Sequence, residues 1–231
     1  MKTFYLLLCG VLGTAVSADH FFVKKDGHTC IIMDANITGS INYHSKQKVV
    51  NYPFTINQPL FNGSCGTESL KEQSLQIRFY PNVNATQNLW ELSFLFAFEK
   101  DQKFIVKDYF LKAAFHDETS KGNETLYVKN GKGADGITAA KANAYSCTSY
   151  DLGLSMDSVL TLRELKLIAF ANLDKSEFPE SQVYEQCVMD QRTSQIIPMV
   201  VGAGLALLVI IVLIAYLIGR ARAKRQGYAS V

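Results

Sequence analysis

Hydrophobic residues are arranged along this chain in two contrasting ways. From Trp90 to Glu99, "WELSFLFAFE" sets Trp90, Leu92, Phe94, Phe96 and Phe98 against Glu91, Ser93, Leu95, Ala97 and Glu99. A period of two places successive side chains on opposite faces of a strand, so the aromatic set turns inward. "SLQIRFYPNV" alternates in the same way through Leu75, Ile77 and Phe79. "SVLTLRELKLIAFAN" carries Leu160, Leu162, Ile168 and Phe170 and reads as a strand, with an amphipathic helix as the alternative. Turn-forming stretches such as "DGH", "NGS" and "KNGKGADG" separate these runs. Short strands between such turns predict an all-β domain of sandwich or prism type.

The second arrangement shows no alternation at all. "IIPMVVGAGLALLVIIVLIAYLI", Ile196 to Ile218, is 23 residues without a charge. As a helix it would extend roughly 35 Å, enough to cross a hydrocarbon core of about 30 Å. A helix in a soluble core keeps a polar face, and this run has none, so lipid is its expected surrounding. Pro198 fits if it lies in the first turn, where its missing N–H has no helical partner anyway. Tyr216 sits where an interfacial ring belongs. Gly202 and Ala206 form a small-x-x-x-small pair suited to close packing against a second copy or a lateral membrane partner.

The first residues, "MKTFYLLLCGVLGTAVSADH", have one lysine, an apolar stretch and then small residues at Val16 and Ala18. That is the layout of a secretory signal peptide, residues 1–18, with the cut expected between Ala18 and Asp19. Arg220, Arg222, Lys224 and Arg225 follow the apolar run at once, and basic residues flanking a span stay in the cytosol. The predicted organisation is a type I protein: residues 19–195 exoplasmic, 196–218 in the bilayer, 219–231 a cytoplasmic tail.

Charge refines this partition. Removing Lys2 and the four tail cations from the net charge of +2 leaves residues 19–195 at −3. A mildly acidic outer segment does not suit nucleic acid. Of five cysteines, Cys9 lies in the signal, which leaves Cys30, Cys65, Cys147 and Cys187. An even set in an oxidising lumen predicts two disulfides, for which four cysteines allow three connectivities. None of the spacings suits a zinc site, and no metal or cofactor is expected. Sequons place N-glycans at Asn36, Asn62, Asn84 and Asn123. Asn62 is the weakest of them, because its Ser64 directly precedes Cys65.

Catalytic signatures are missing: there is no G-x-S-x-G and no H-E-x-x-H. "GKGADG", Gly131 to Gly136, matches a dinucleotide fingerprint in letters only, because that function needs a parallel βαβ unit around it. It reads as a turn between strands, and the chain reads as a non-enzyme.

The cysteine layout, "YSC" at Cys147, "LTLRELKLIAF", "FPESQVYEQC" ending at Cys187 and the opening of the span together resemble the membrane-proximal domain of the lysosome-associated membrane proteins. The resemblance implies a β-prism luminal domain with disulfides Cys30–Cys65 and Cys147–Cys187, one transmembrane helix, and residence in lysosomal and late endosomal membranes, reached by the secretory pathway directly or by way of the plasma membrane. It also implies that Gly227, Tyr228 and Val231 form a Gly-Tyr-x-x-Φ sorting motif, bound as an added strand by the medium subunit of a clathrin adaptor. An extended chain from Ile218 to Tyr228 would reach up to about 33 Å. The chain departs from the two-domain members in having one domain, no Pro/Ser/Thr-rich hinge and four sequons. The expected role is in the structure, protection and biogenesis of the lysosomal membrane. The alternative is an escort that sorts another membrane protein, such as a synaptic vesicle transporter.

Overall fold

The structure, a computed structural model, describes residues 18–45, 48–66, 72–81, 89–99, 102–117, 120–131 and 136–227. Twelve strands and one long helix are found among them. The chain divides into two units, Met1–Glu185 and Gln186–Val231.

The first unit is built from two six-stranded sheets. One runs β1 (Asp19–Lys25), β2 (His28–Ser45), β11 (Ser158–Ile168), β10 (Ala144–Leu154) and β12 (Tyr184–Gln186), with β3 (Lys48–Thr55) also on β2. The other runs β4 (Asn57–Ser64), β5 (Glu72–Tyr80), β6 (Trp90–Phe98), β7 (Lys103–Asp117) and β8 (Ser120–Val128), with β9 (Thr138–Ala140) also on β7. The chain passes from one sheet to the other at Ile56, whose N–H donates to the carbonyl of Ile37 at 3.3 Å.

Alternation explains both inner faces. Leu75, Ile77 and Phe79 in β5, with Trp90, Leu92, Phe94 and Phe96 in β6, are all buried. Ile37, Ile41, Leu160 and Leu162 of the other sheet are buried as well. Trp90 centres an aromatic group, with Phe54 at 5.3 Å, Phe115 at 5.4 Å and Phe79 at 6.2 Å between ring centroids. Its indole N–H donates to the carbonyl of Ala114 at 3.0 Å, which satisfies the polar end of a ring otherwise packed in apolar surroundings.

The stretch read as strand or helix is β11, and a bulge explains its ambiguity. Its register against β2 shifts between Arg163 and Lys166, and Glu164 adopts a φ of 52°. One extra residue moves the inward set from Leu160 and Leu162 to Leu165 and Leu167. Beyond β11, the connection to β12 folds back over the outer face of its own sheet. There Ala171, Leu173, Phe178 and Tyr184 pack on Ile32, Ala144 and Ile168.

"KNGKGADG" falls between β8 and β9, two strands that both pair antiparallel with β7. Gly131 and Gly136 have φ of 97° and 68°, conformations that glycine adopts without strain. Residues 132–135 of the fingerprint lie outside the described residues, and the element that follows Gly136 is strand β9, not a helix that could hold a pyrophosphate.

The second unit is dominated by α1, Val188–Gly227, 40 residues long. Its segment Pro198–Arg220, 23 residues with mean hydropathy 2.9 and none of it buried, is long and apolar enough to span a bilayer. The helix begins before the apolar run. "VMDQRTSQ" contains good helix formers, and Asp190 in the first turn complements the positive end of the helix dipole. Pro198 therefore lies inside the helix rather than in its first turn, and removes the bond that the Ser194 carbonyl would otherwise receive.

Candidate functional site

Cys30, near the start of β2, is bonded to Cys65, just after β4, with Cα atoms 5.6 Å apart. The bond staples one sheet to the other across a sequence separation of 35. In the chain-entropy account such a loop is worth about 4 kcal/mol. Cys147 and Cys187 are disulfide-bonded as well, so they offer no thiolate to a metal ion or substrate.

Side chains that sequence patterns do not single out organise the ground near these staples. Glu185 accepts hydrogen bonds from the Ala140 N–H at 2.9 Å and from the Asn143 side chain at 2.8 Å. The Ala140 contact chiefly holds its carboxyl below the usual range, against the opposing effect of burial, with Asn143 and the charge of Lys103 adding to it. His20 stands between the Asp34 carboxylate at 2.6 Å and the Ser176 carbonyl at 2.7 Å. His28 faces Asp174 at 3.3 Å. Both imidazoles thereby tie the connection after β11 to the first two strands.

An open cleft of about 740 Å³ lies beside that connection, lined among others by Gln102, Lys141, Phe170, Leu173, Pro179 and Val183. Its lining contains no histidine, cysteine, aspartate or glutamate. Lys141 is the cationic group there, and its ammonium stands 5.8 Å from the centre of the Phe98 ring.

The sequon residues are dispersed over the domain. Asn36 is half-buried in β2, opposite Arg163. Asn62 is exposed on β4, opposite Gln76. Asn123 lies in β8 in register with Phe115, and Asn84 lies outside the described residues.

In the second unit, a Cβ added at Gly202 would meet nothing within 4 Å. Ala206 lies one helical turn further along α1. The backbone stays helical through Arg220 to Gly227, which places Gly227 about 10 Å beyond Arg220 along the axis. Arg, Ala, Lys and Gln all propagate a helix, so the tail begins shorter than the fully extended chain considered from sequence. Tyr228, Ala229, Ser230 and Val231 lie outside the described residues, as does the signal segment 1–17.

A disulfide-stapled antiparallel β domain, with one bilayer-length helix among the described residues, defines a membrane-anchored β-domain protein. Comparison with known proteins narrows that class. The profile of the family described as lysosome-associated membrane glycoprotein 2, transmembrane segment, matches residues 197–229. Lysosome-associated membrane glycoprotein 1 of Rattus norvegicus is 28% identical over 227 residues, covering 94% of this chain and 49% of that protein. The corresponding glycoprotein 2 of Mus musculus is 26% identical over 219 residues, covering 90% and 45%. This chain thus spans about half the length of the curated relatives it matches.

Among solved structures, the membrane-proximal domain of mouse lysosome-associated membrane protein 1 superposes with a TM-score of 0.59 at 19% identity, covering 75% of this chain and 98% of that one. The membrane-distal domain of mouse lysosome-associated membrane protein 2 superposes with a TM-score of 0.57 at 14% identity, covering 74% and 99%. These two likenesses establish the fold. The chain is thus similar in sequence to lysosome-associated membrane glycoproteins over most of its length, and it shares the fold of their membrane-proximal and membrane-distal domains.

Proposed function

We propose that this chain is a type I glycoprotein of the lysosomal and late endosomal membrane that contributes to the structure, protection and biogenesis of that membrane. In this reading the signal 1–18 is removed, residues 19–195 are luminal and N-glycosylated, and the tail is read by clathrin adaptors through Gly227, Tyr228 and Val231. It is not an enzyme. The observation that carries the reading is the fully exposed apolar segment Pro198–Arg220, which follows the β domain and meets a basic tail.

The chemistry of the parts supports it. A domain with a cross-sheet disulfide and a tightly packed aromatic core resists both acid and proteolysis, and glycans on its surface add a steric screen. In this reading the Tyr-x-x-Φ segment pairs as an added strand with a sheet edge of an adaptor, with Tyr228 and Val231 filling pockets on one side.

The test is the steady-state location of the full-length protein and of Tyr228→Ala in the same cells. The wild type is expected on acidic, hydrolase-containing compartments and the variant at the plasma membrane. An unchanged distribution would remove the tail from the account of sorting.

A further inference from the structure

The outer face of the β4–β8 sheet carries one row of residues that alternation does not explain. Reading straight across the ladders, Asn62 of β4 faces Gln76 of β5, Gln76 faces Ser93 of β6, Ser93 faces Phe110 of β7, and Phe110 faces Val128 of β8. Directly opposed residues in an antiparallel pair stand on the same face. The inward residues on either side of each are the buried Leu75, Ile77, Leu92, Phe94, Tyr109, Leu111 and Tyr127, so the row itself points outward.

Ser93 is only 5% exposed although it points away from the core, so its neighbours already close over it, and the open apolar surface of this face lies beyond it. Phe110, next to it, presents a half-buried ring outward, with the Lys112 ammonium 5.8 Å from its centre. Val128 and Leu126 beyond it are 46% and 50% exposed. The neighbouring row is a charge ladder, Arg78, Glu91 and Lys112, in which Glu91 and Lys112 pair at 3.7 Å. It closes one side of a shallow trough whose floor is polar at Ser93 and aromatic at Phe110.

Asn62, a sequon asparagine, stands at the head of that trough on the edge strand. We propose that the glycan on Asn62 lies back across the sheet along this row instead of standing off into solvent. Its second N-acetylglucosamine rests on the Phe110 ring. Three strand spacings separate Asn62 from Phe110, about 14 Å, the span of a disaccharide core carried on an asparagine side chain. The C–H face of a pyranose is apolar and suits an aromatic ring, while its rim of hydroxyls suits Gln76. The proposal rests on Asn62 being a used sequon, and it makes the glycan part of the domain's surface.

The test is site-resolved glycopeptide analysis of the full-length protein expressed in mammalian cells and purified from their membranes, comparing wild type, Phe110→Ser and Ser93→Ala. Occupancy at Asn62 is read first, and an empty Asn62 in the wild type ends both the sequon reading and the proposal. With Asn62 occupied, a glycan held on the sheet is shielded from trimming enzymes and stays oligomannose, while the glycan on Asn36 serves as the internal control. Phe110→Ser is expected to raise the ratio of processed to oligomannose forms at Asn62 roughly fivefold, the factor by which a contact of aromatic size shifts an equilibrium. Ser93→Ala, at a hydroxyl already closed over by its neighbours, is the control and is expected to leave the ratio as in the wild type. Equal processing at Asn62 in all three proteins, with Asn36 unchanged, overturns the proposal while leaving glycosylation itself intact. Wild-type protein that self-associates through this face with Asn62 occupied overturns it too.

Discussion

The side chain of Gln73 accepts a hydrogen bond from the backbone N–H of Phe170 at 2.8 Å. Its amide also donates to the carbonyl of Cys65 at 3.1 Å. Gln73 belongs to β5 and is 5% exposed, while Phe170 lies past the end of β11 with a φ of 57°. One buried amide thus closes the gap between the sheets beside the Cys30–Cys65 staple and holds a phenylalanine in a left-handed conformation. Gln73→Leu keeps the volume and removes both bonds, leaving a buried donor and acceptor unpaired. The expected cost is about 2 kcal/mol of unfolding free energy, measured by chemical denaturation of the oxidised protein.

Gly39 in β2 lies directly opposite Phe54 in β3, and a Cβ built at Gly39 would come within 2.5 Å of the Phe54 ring and 2.8 Å of the Val159 carbonyl oxygen. The glycine lets the ring lie flat across β2 and reach Phe79 and Trp90, with centroids 5.7 Å and 5.3 Å away. Gly39→Ala is expected to destabilise the domain by about 1–3 kcal/mol, because both a packed ring and a ladder carbonyl must give way. Pairing it with Phe54→Leu should recover part of the loss, since a smaller side chain relieves the ring contact. A thermal melt of the four proteins in the cycle reads this directly.

How much of this was legible beforehand depends on the range of the interaction. Alternation reveals β5 and β6 because each strand buries its own odd or even set, and a window of ten residues contains the whole signal. It blurs at β11, where the bulge at Arg163 to Lys166 shifts the phase midway. It says nothing of partners: β2 pairs with β11 through Ile37 and Leu162, and no local pattern encodes a match across so long a stretch of chain. The apolar run marks where lipid would lie, yet not where α1 starts, since a helix can form from polar residues as well. Sequons and cysteines announce themselves by type. The Asn62 to Val128 row does not, because it exists only once five strands are in register.

Two titrating groups make the pH profile of the β domain asymmetric. Glu185 is held below its ordinary 4.5 by the Ala140 N–H, so the folded state binds its proton less tightly than the unfolded chain does. Its contribution is fully present above pH 4.5 and is lost as pH falls through the lower folded value, which preserves the contact in a moderately acidic compartment. Tyr127 behaves in the opposite sense. Burial, reinforced by Tyr43, pushes its phenol from 10.0 up to about 12, and its hydroxyl donates to the Asn42 carbonyl of the other sheet at 3.1 Å. The unfolded chain therefore ionises first, so the Tyr127 contribution is constant below pH 10 and falls as pH rises toward 12. Glu185→Gln should lower the neutral-pH stability by about 1 kcal/mol and flatten the acid limb, with little difference from wild type at the acid extreme. Tyr127→Phe should lose about 1 kcal/mol through the missing bond to Asn42 and flatten the alkaline limb alone. Melting temperatures of the three proteins across the full pH range check both arms, and an acid limb left unaltered by Glu185→Gln would assign that limb to other carboxylates.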